Sequence, residues 1–158
     1  MPEFLAMIPI AVFAVFGFQL AQFDFKYKIL PNRLVANLII YLVSSCLAIS
    51  AVTKDWSQFS SALRFAVGYL IVFVLLYLLS RGKLGMGDVK FAFPCGLIVG
   101  WSVSYLFMES LILMFSCAGV VSLFLLTTRK INLNTHIPFG PFMYFSVILT
   151  CLVSNFSG

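Results

Sequence analysis

Two aspartates occupy positions where their chemistry could be combined. Asp24 opens the run DFKYKILPN over residues 24–32, and Asp88 closes the run Gly-Met-Gly-Asp over residues 85–88. Asp24 follows a long apolar stretch and Asp88 precedes one, and the chain has only five acidic residues. Two neighbouring carboxyl groups cannot easily both ionise, so the pair holds one proton and offers a base and an acid together. Hydrolysis of an amide bond by two aspartates requires this combination, and we expect Asp24 and Asp88 to be catalytic.

The glycines beside Asp88 fit the same interpretation. Gly85 and Gly87 permit backbone conformations that are forbidden to other residues, and they allow a substrate strand to approach the main chain closely. A glycine-rich edge could also pair with an extended substrate peptide as a strand does. We therefore expect Gly85 and Gly87 to bind substrate or support the site, whereas Met86 between them is expected to pack.

The composition indicates an integral membrane protein. The chain has 158 residues, of which 62% are hydrophobic and 9% are charged, so a soluble fold would lack polar cover. A membrane-spanning helix needs about 20 mostly apolar residues, and such runs recur along the chain between short polar breaks. We expect one membrane-embedded domain over residues 1–158, an all-α bundle of about six transmembrane helices. The first apolar run carries Glu3 in place of a basic segment, so we expect a retained helix and no cleaved signal.

The breaks between the apolar runs place the six helices. The predicted ranges are 4–23, 34–53, 61–80, 89–107, 109–128 and 138–156. The fourth and fifth ranges assume a tight turn at Glu109, and a re-entrant segment is the alternative. Both aspartates would then lie in loops, the first and the third.

Lysine and arginine predict the orientation of this bundle. The first, third and fifth loops carry eight of them, at positions 26, 28, 33, 81, 83, 90, 129 and 130. The even loops carry Lys54, and Arg64 lies just inside the third helix, from which it could snorkel outward. Because basic loops stay on the cytoplasmic side, we expect both termini outside and both catalytic loops in the cytoplasm. The basic residues form no continuous stripe, so we expect membrane lipids and no nucleic acid as partners.

Three motifs, in order along the chain, resemble those of the type IV prepilin peptidases, a branch of the Gly-x-Gly-Asp membrane aspartyl proteases. The stretch from Asp24 to Asn32 resembles the first-aspartate motif, with Leu30 in the place of isoleucine. The run GMGDVK over residues 85–90 fits the second motif, and IPFGPF over residues 137–142 is similar to the entrance of the last helix. The resemblance covers almost the whole chain.

This resemblance implies a function and a set of partners. Asp24 and Asp88 would be the dyad that cleaves the leader of a pilin-like precursor, at the cytoplasmic face of the inner membrane. The precursor would have a short basic leader followed by a hydrophobic helix. Larger members also carry paired Cys-x-x-Cys motifs and methylate the new N-terminus. This chain lacks those motifs, so it resembles the short peptidases of tight-adherence pili, and we expect no methyl transfer.

The remaining candidates are residues near the ends of the predicted helices. We expect them to bind substrate or to support the site, and they are Pro31, Asn32, Lys90, Pro138, Gly140 and Pro141. Lys90 could equally be a cytoplasmic anchor, and the residues from 138 onward could simply kink the sixth helix. His136 is expected to be interfacial. We expect no metal and no cofactor, because the four cysteines are isolated: Cys46, Cys95, Cys117 and Cys151.

Other functions remain open for the two aspartates. They could line a proton or cation path in a small transporter, although such acids usually lie deeper within the spans. They could also belong to a scaffold that binds pilin precursors without cutting them. The least specific reading is that both are juxtamembrane residues solvated near lysines.

Overall fold

The structure, a computed structural model, describes residues 3–28, 30–81, 84–103, 106–127 and 139–157. These residues form six α-helices and contain no β-strand. In chain order the helices are α1 (Glu3–Tyr27), α2 (Asn32–Thr53), α3 (Trp56–Leu79), α4 (Met86–Ser102), α5 (Phe107–Thr127) and α6 (Gly140–Ser157). The predicted all-α bundle of six helices is therefore confirmed for the described part of the chain.

Within these ranges, three helices are long and apolar enough to cross a membrane. They are the stretches Phe4–Tyr27, Asn32–Thr53 and Trp56–Leu79, and each exposes most of its apolar surface. The stretches Phe107–Val121 and Gly140–Val153 are apolar but shorter. A bundle with so many exposed apolar side chains matches the membrane protein expected from composition.

Two helix starts differ from the predicted ones because of local capping. α3 begins at Trp56 and not at residue 61, because the Asp55 carboxylate accepts a hydrogen bond from the Ser57 N–H at 3.1 Å. α4 begins at Met86 and not at residue 89, with Gly85 as its N-cap. The break between α4 and α5 lies around Val103, where Leu106 N–H donates to the Val103 carbonyl at 2.9 Å. Glu109 lies in the first turn of α5, so the turn predicted at Glu109 is wrong by a few residues.

α4 is the central helix of the bundle. Eleven of its 17 residues are buried, compared with four in the longer α3. Gly96 and Gly100 pack directly against the backbone of α3. A Cβ at Gly96 would lie 2.5 Å from the Phe65 carbonyl oxygen. A Cβ at Gly100 would lie 2.8 Å from Cα of Ala62. Glycines four positions apart on α4 thus let the backbones of α3 and α4 approach closely.

Hydrogen bonds between helices fix which ends lie together. Gln58 Nε2, near the start of α3, donates to the carbonyl of Trp101, near the end of α4, at 2.9 Å. Trp101 Nε1 donates to the carbonyl of Ala6, in the first turn of α1, at 3.2 Å. The start of α4 and the end of α1 therefore lie at the other end of the bundle, which brings the two aspartates to the same end.

Candidate active site

Asp24 and Asp88 line one cavity at that end of the bundle. The cavity has a volume of about 220 Å³, and its walls come from the end of α1, the chain that follows it and the start of α4. The lining residues are Asp24, Lys28, Leu30, Gly85, Met86, Gly87 and Asp88. The structure thus brings together the two aspartates and both glycines of the Gly-x-Gly-Asp run.

Asp24 lies in the last turn of α1 and not in a loop, which corrects the predicted position. α1 ends because Lys28 takes a left-handed conformation, with φ of 53°, and its N–H donates to the Asp24 carbonyl at 2.7 Å. The chain then passes through the buried Leu30 to Pro31, the extended N-cap of α2. Asp24 is only 5% exposed, so its carboxylate needs hydrogen-bond partners within the protein.

The start of α6 supplies such a partner. The Gly140 N–H donates to Asp24 Oδ2 at 2.8 Å, a buried hydrogen bond across 116 residues of sequence. The first N–H groups of a helix have no partner within the helix and carry partial positive charge, so they favour an ionised carboxylate. A Cβ at Gly140 would lie 2.8 Å from the same oxygen, and therefore only glycine allows this contact without a shift.

Asp88 occupies the third position of α4, one turn after the N-cap Gly85. Its carboxyl forms a hydrogen bond with the Gly85 backbone, as acidic residues at this position do in a capping box. The pKa of the Asp88 carboxyl is raised to about 7, mainly by burial and then by the negative charge of Asp24, while the Gly85 hydrogen bond lowers it. Asp88 thus lies in a helix and not in the predicted loop. Because its pKa is raised, it retains a proton more readily than an ordinary aspartate.

The two glycines beside Asp88 do not adopt special backbone conformations. Gly85 has φ of −66° and ψ of 134°, which any residue can adopt, and Gly87 is helical. The predicted conformational role is therefore wrong. What the structure requires at position 87 is the absence of a side chain. A Cβ at Gly87 would lie 2.8 Å from Cβ of Leu30. The absence of a side chain at 87 lets the first turn of α4 pack against the segment that follows Asp24.

Lys90 and Asn32 connect the starts of α4 and α2. Lys90 Nζ donates to Asn32 Oδ1 at 2.9 Å, and both side chains are exposed. Neither residue lines the cavity, and Pro31 precedes Asn32 as the N-cap of α2. The motif that contains Asp24 and the motif that contains Asp88 are thus joined by a direct contact near the cavity.

The other predicted residues have varied outcomes. Pro141 lies in the first turn of α6, beside Gly140, whereas Pro138 and His136 lie outside the described residues. Lys28 and Leu30 also line the cavity, and they were not predicted as site residues although both belong to the first-aspartate segment. Met86 was expected only to pack, but it is 49% exposed and lines the cavity.

The four cysteines are free, and three of them are buried: Cys46, Cys95 and Cys151. In the described part of the chain, no three His, Cys, Asp or Glu residues are grouped so that they could hold a metal ion. A pair of carboxyl groups, a neighbouring lysine and a helix N-terminus are therefore the chemical groups described at the site.

A family model described as the type IV leader peptidase family matches residues 11–154. The chain belongs to this family. Membership confirms the resemblance that the three motifs predicted, and it supports a protease of the type IV leader peptidase kind. It also implies pilin precursors as substrates, and it does not favour the transporter. The chain matches no curated protein and no solved structure.

Proposed function

We propose that this protein is an aspartic endopeptidase that removes the leader of type IV pilin-like precursors. The observation that carries the proposal is the shared cavity of Asp24 and Asp88, in a chain of the type IV leader peptidase family. Residues 1–158 act as a single membrane-embedded domain. The cavity is large enough for a water molecule and the scissile peptide group.

The surroundings of the two carboxyl groups support a different role for each. Asp24 accepts the N–H at the start of α6, so it is the ionised base that takes a proton from water. Asp88, with its raised pKa, is the acid that donates a proton to the carbonyl oxygen. The hydroxide that forms attacks the carbonyl carbon. As the tetrahedral intermediate collapses, the leaving nitrogen takes the proton from Asp24, and a hydroxyl group of the intermediate returns a proton to Asp88. The dyad is then ready for another turnover.

The orientation follows from the distribution of charge. The bundle end that holds the cavity also carries most of the described basic residues, including Lys26, Lys28, Arg33, Arg81 and Lys90. Basic segments remain in the cytoplasm, so the cavity faces the cytoplasm and both termini lie outside. The protein is a multi-pass protein of the inner membrane, embedded in membrane lipids. A precursor anchored by its own hydrophobic helix would reach this end of the bundle with its basic leader in the cytoplasm.

The proposal gives a supporting role to residues around the two aspartates, which are Pro31, Asn32, Gly85, Gly87, Lys90, Gly140 and Pro141. Pro138 is included on the basis of the sequence motif alone. Peptide cleavage needs only the two carboxyl groups and water, so the protein works without a metal or cofactor. Methyl transfer to the new N-terminus is not part of its activity.

Coexpression with pilin-like precursors encoded near this gene tests the function directly. We expect a precursor to lose its leader, seen as a mobility shift and as a new N-terminus by mass spectrometry without an added methyl group. A membrane fraction that lacks this protein is the control. If every coexpressed precursor stayed intact, the proposed peptidase activity would be contradicted. A methylated product would contradict the proposal that the protein cleaves without methyl transfer.

A further inference from the structure

A single arginine lies on the exposed apolar face of α3, far from the aspartates. Arg64 is the ninth residue of α3, about 12 Å along the helix from Trp56 at 1.5 Å per residue. The exposed apolar residues of the same helix include Leu63, Val67, Ile71, Val74, Leu75 and Leu78. In a helix apolar enough to cross a membrane, this face lies against lipid, so the guanidinium needs a partner or a route to the interface.

Two hollows flank the Arg64 side chain. One, of about 410 Å³, is lined by Arg64 with Ser60, Leu63 and Val67. The other, of about 240 Å³, is lined by Arg64 with Phe65, Gly68 and Phe107. The Phe65 and Phe107 rings meet edge to face with centroids 5.1 Å apart, which fixes the wall that α5 provides. Arg64 therefore contributes to the lining of two open, largely apolar depressions on the surface of the bundle.

The chain offers Arg64 no anionic partner among the described side chains. Asp24 and Asp88 line the cavity at the opposite end, and the Asp55 carboxylate binds the Ser57 N–H and hydroxyl. Glu109 is exposed on α5, and it forms no ion pair with Arg64 in the described part of the chain. The positive charge is thus unneutralised within these residues.

The geometry of the helix favours a partner from the lipid headgroups. Side chains on a helix lean toward its N-terminus, so Arg64 leans over Ser60 toward Trp56 and the nearer bundle end. Trp56 is 54% exposed at that end, where aromatic residues mark the membrane interface. A guanidinium offers paired donors that match two oxygens of a phosphate group.

We propose that Arg64 and the two hollows beside it bind one anionic phospholipid. The phosphate pairs with the Arg64 guanidinium, and the acyl chains lie along Leu63, Val67 and Phe107. The site is independent of the proposed peptidase function, since it lies at the opposite end of the bundle from the aspartates.

Native mass spectrometry of the full chain tests this site. The protein in neutral detergent is equilibrated with phosphatidylglycerol or with phosphatidylcholine. We expect a one-to-one complex with phosphatidylglycerol in the wild type, and a loss of about tenfold in its affinity in Arg64→Gln, as expected for one charge-assisted contact. Arg64→Lys keeps the charge and should retain part of the binding.

Lys54→Gln is the matched control, because it removes one positive charge at the same bundle end, at the C-cap of α2. Equal loss in Lys54→Gln and Arg64→Gln would contradict a specific site, as would unchanged binding in Arg64→Gln. Equal binding of both lipids by the wild-type protein would also contradict the proposal. This comparison uses the wild type alone, so it holds even if Arg64→Gln fails to fold. Displacement by excess inorganic phosphate alone would show that free phosphate, and not lipid, is the ligand.

Discussion

The backbone N–H of Gly140 holds the carboxylate of Asp24 through a 2.8 Å hydrogen bond. The bond ties the first residue of α6 to the last turn of α1, and it is buried. It gives one of the two aspartates a fixed orientation and a partner that favours negative charge. Asp88 forms its own hydrogen bond with the Gly85 backbone and feels the negative charge of Asp24, which adds to the effect of burial in raising its pKa. The two carboxyl groups thus have different surroundings, as a base and an acid require.

Gly140→Ala should reduce cleavage strongly. The new Cβ would lie 2.8 Å from Asp24 Oδ2, so the carboxylate or the start of α6 must move. A displacement of this kind can lower the rate by about 100-fold. The rate of leader removal from a purified precursor at saturating substrate measures the effect.

Gly119→Ala is the control for this substitution. Gly119 also lies in a helix, but a Cβ there would meet nothing within 4 Å. Its cleavage rate should stay near that of the wild type. If Gly140→Ala behaves like Gly119→Ala, the contact between Gly140 and Asp24 has no role in the reaction.

Gly87→Ala should strain the contact between α4 and the segment after Asp24. Its Cβ would lie 2.8 Å from Cβ of Leu30, which is 7% exposed. Overpacking of this kind costs about 1–3 kcal/mol of stability. Removing the Leu30 Cβ in Gly87→Ala/Leu30→Gly should recover part of the loss, so thermal unfolding should show a double variant better than the sum of the single ones. Strictly additive losses would show that the two residues do not press on each other.

The Lys90 and Asn32 side chains should act as one unit. Lys90 Nζ donates to Asn32 Oδ1 at 2.9 Å, so either Lys90→Met or Asn32→Ala removes the bond between the two motifs. For an exposed hydrogen bond with one charged partner, we expect a coupling free energy of about 0.5–1 kcal/mol in thermal unfolding. Lys26→Met is the control, since Lys26 lies over the Tyr27 ring, and it should be additive with Asn32→Ala. Zero coupling between Lys90 and Asn32 would mean that the bond contributes nothing.

The raised pKa of Asp88 predicts how the protein responds to pH. If Asp88 donates a proton in the reaction, cleavage should decline as pH rises through about 7, although the pH profile reports the aspartate pair together. An acid whose folded pKa is raised contributes stability below its ordinary value of 3.8, and this contribution is lost as pH rises through about 7. Asp88→Asn should therefore stabilise the protein more at pH 8 than at pH 5, relative to wild type, in thermal unfolding. An equal effect at both values would contradict the raised pKa.

The number of helices and the shared position of the aspartates could be predicted from the sequence. Apolar runs and polar breaks located six helices, and alternate loops must lie at the same end of a bundle. The start of α4 was misplaced because a glycine pair reads as a loop, although Gly85 is an acceptable N-cap and Asp88 stands at the capping-box position after it. That spacing was visible in the sequence and could have placed Asp88 in a helix.

The contact between Gly140 and Asp24 could not be predicted in the same way. It joins residues 116 positions apart, and it depends on how α6 packs against α1. The motif around Gly140 indicated only that backbone groups would be exposed at the start of the sixth helix. Lys28 was missed for a related reason: its place in the cavity depends on its φ of 53°, which turns the chain at the end of α1.

Cleavage of a pilin-like precursor by Asp24→Asn and Asp88→Asn tests the central claim most directly, with Asp55→Asn as the control. Asp55 is an exposed acid that caps α3 at the other end of the bundle, and asparagine caps a helix equally well. We predict that each site variant inserts into the membrane and loses cleavage by about 10²- to 10⁴-fold, whereas Asp55→Asn cleaves at the wild-type rate. Full leader removal by either Asp24→Asn or Asp88→Asn would contradict the aspartic mechanism.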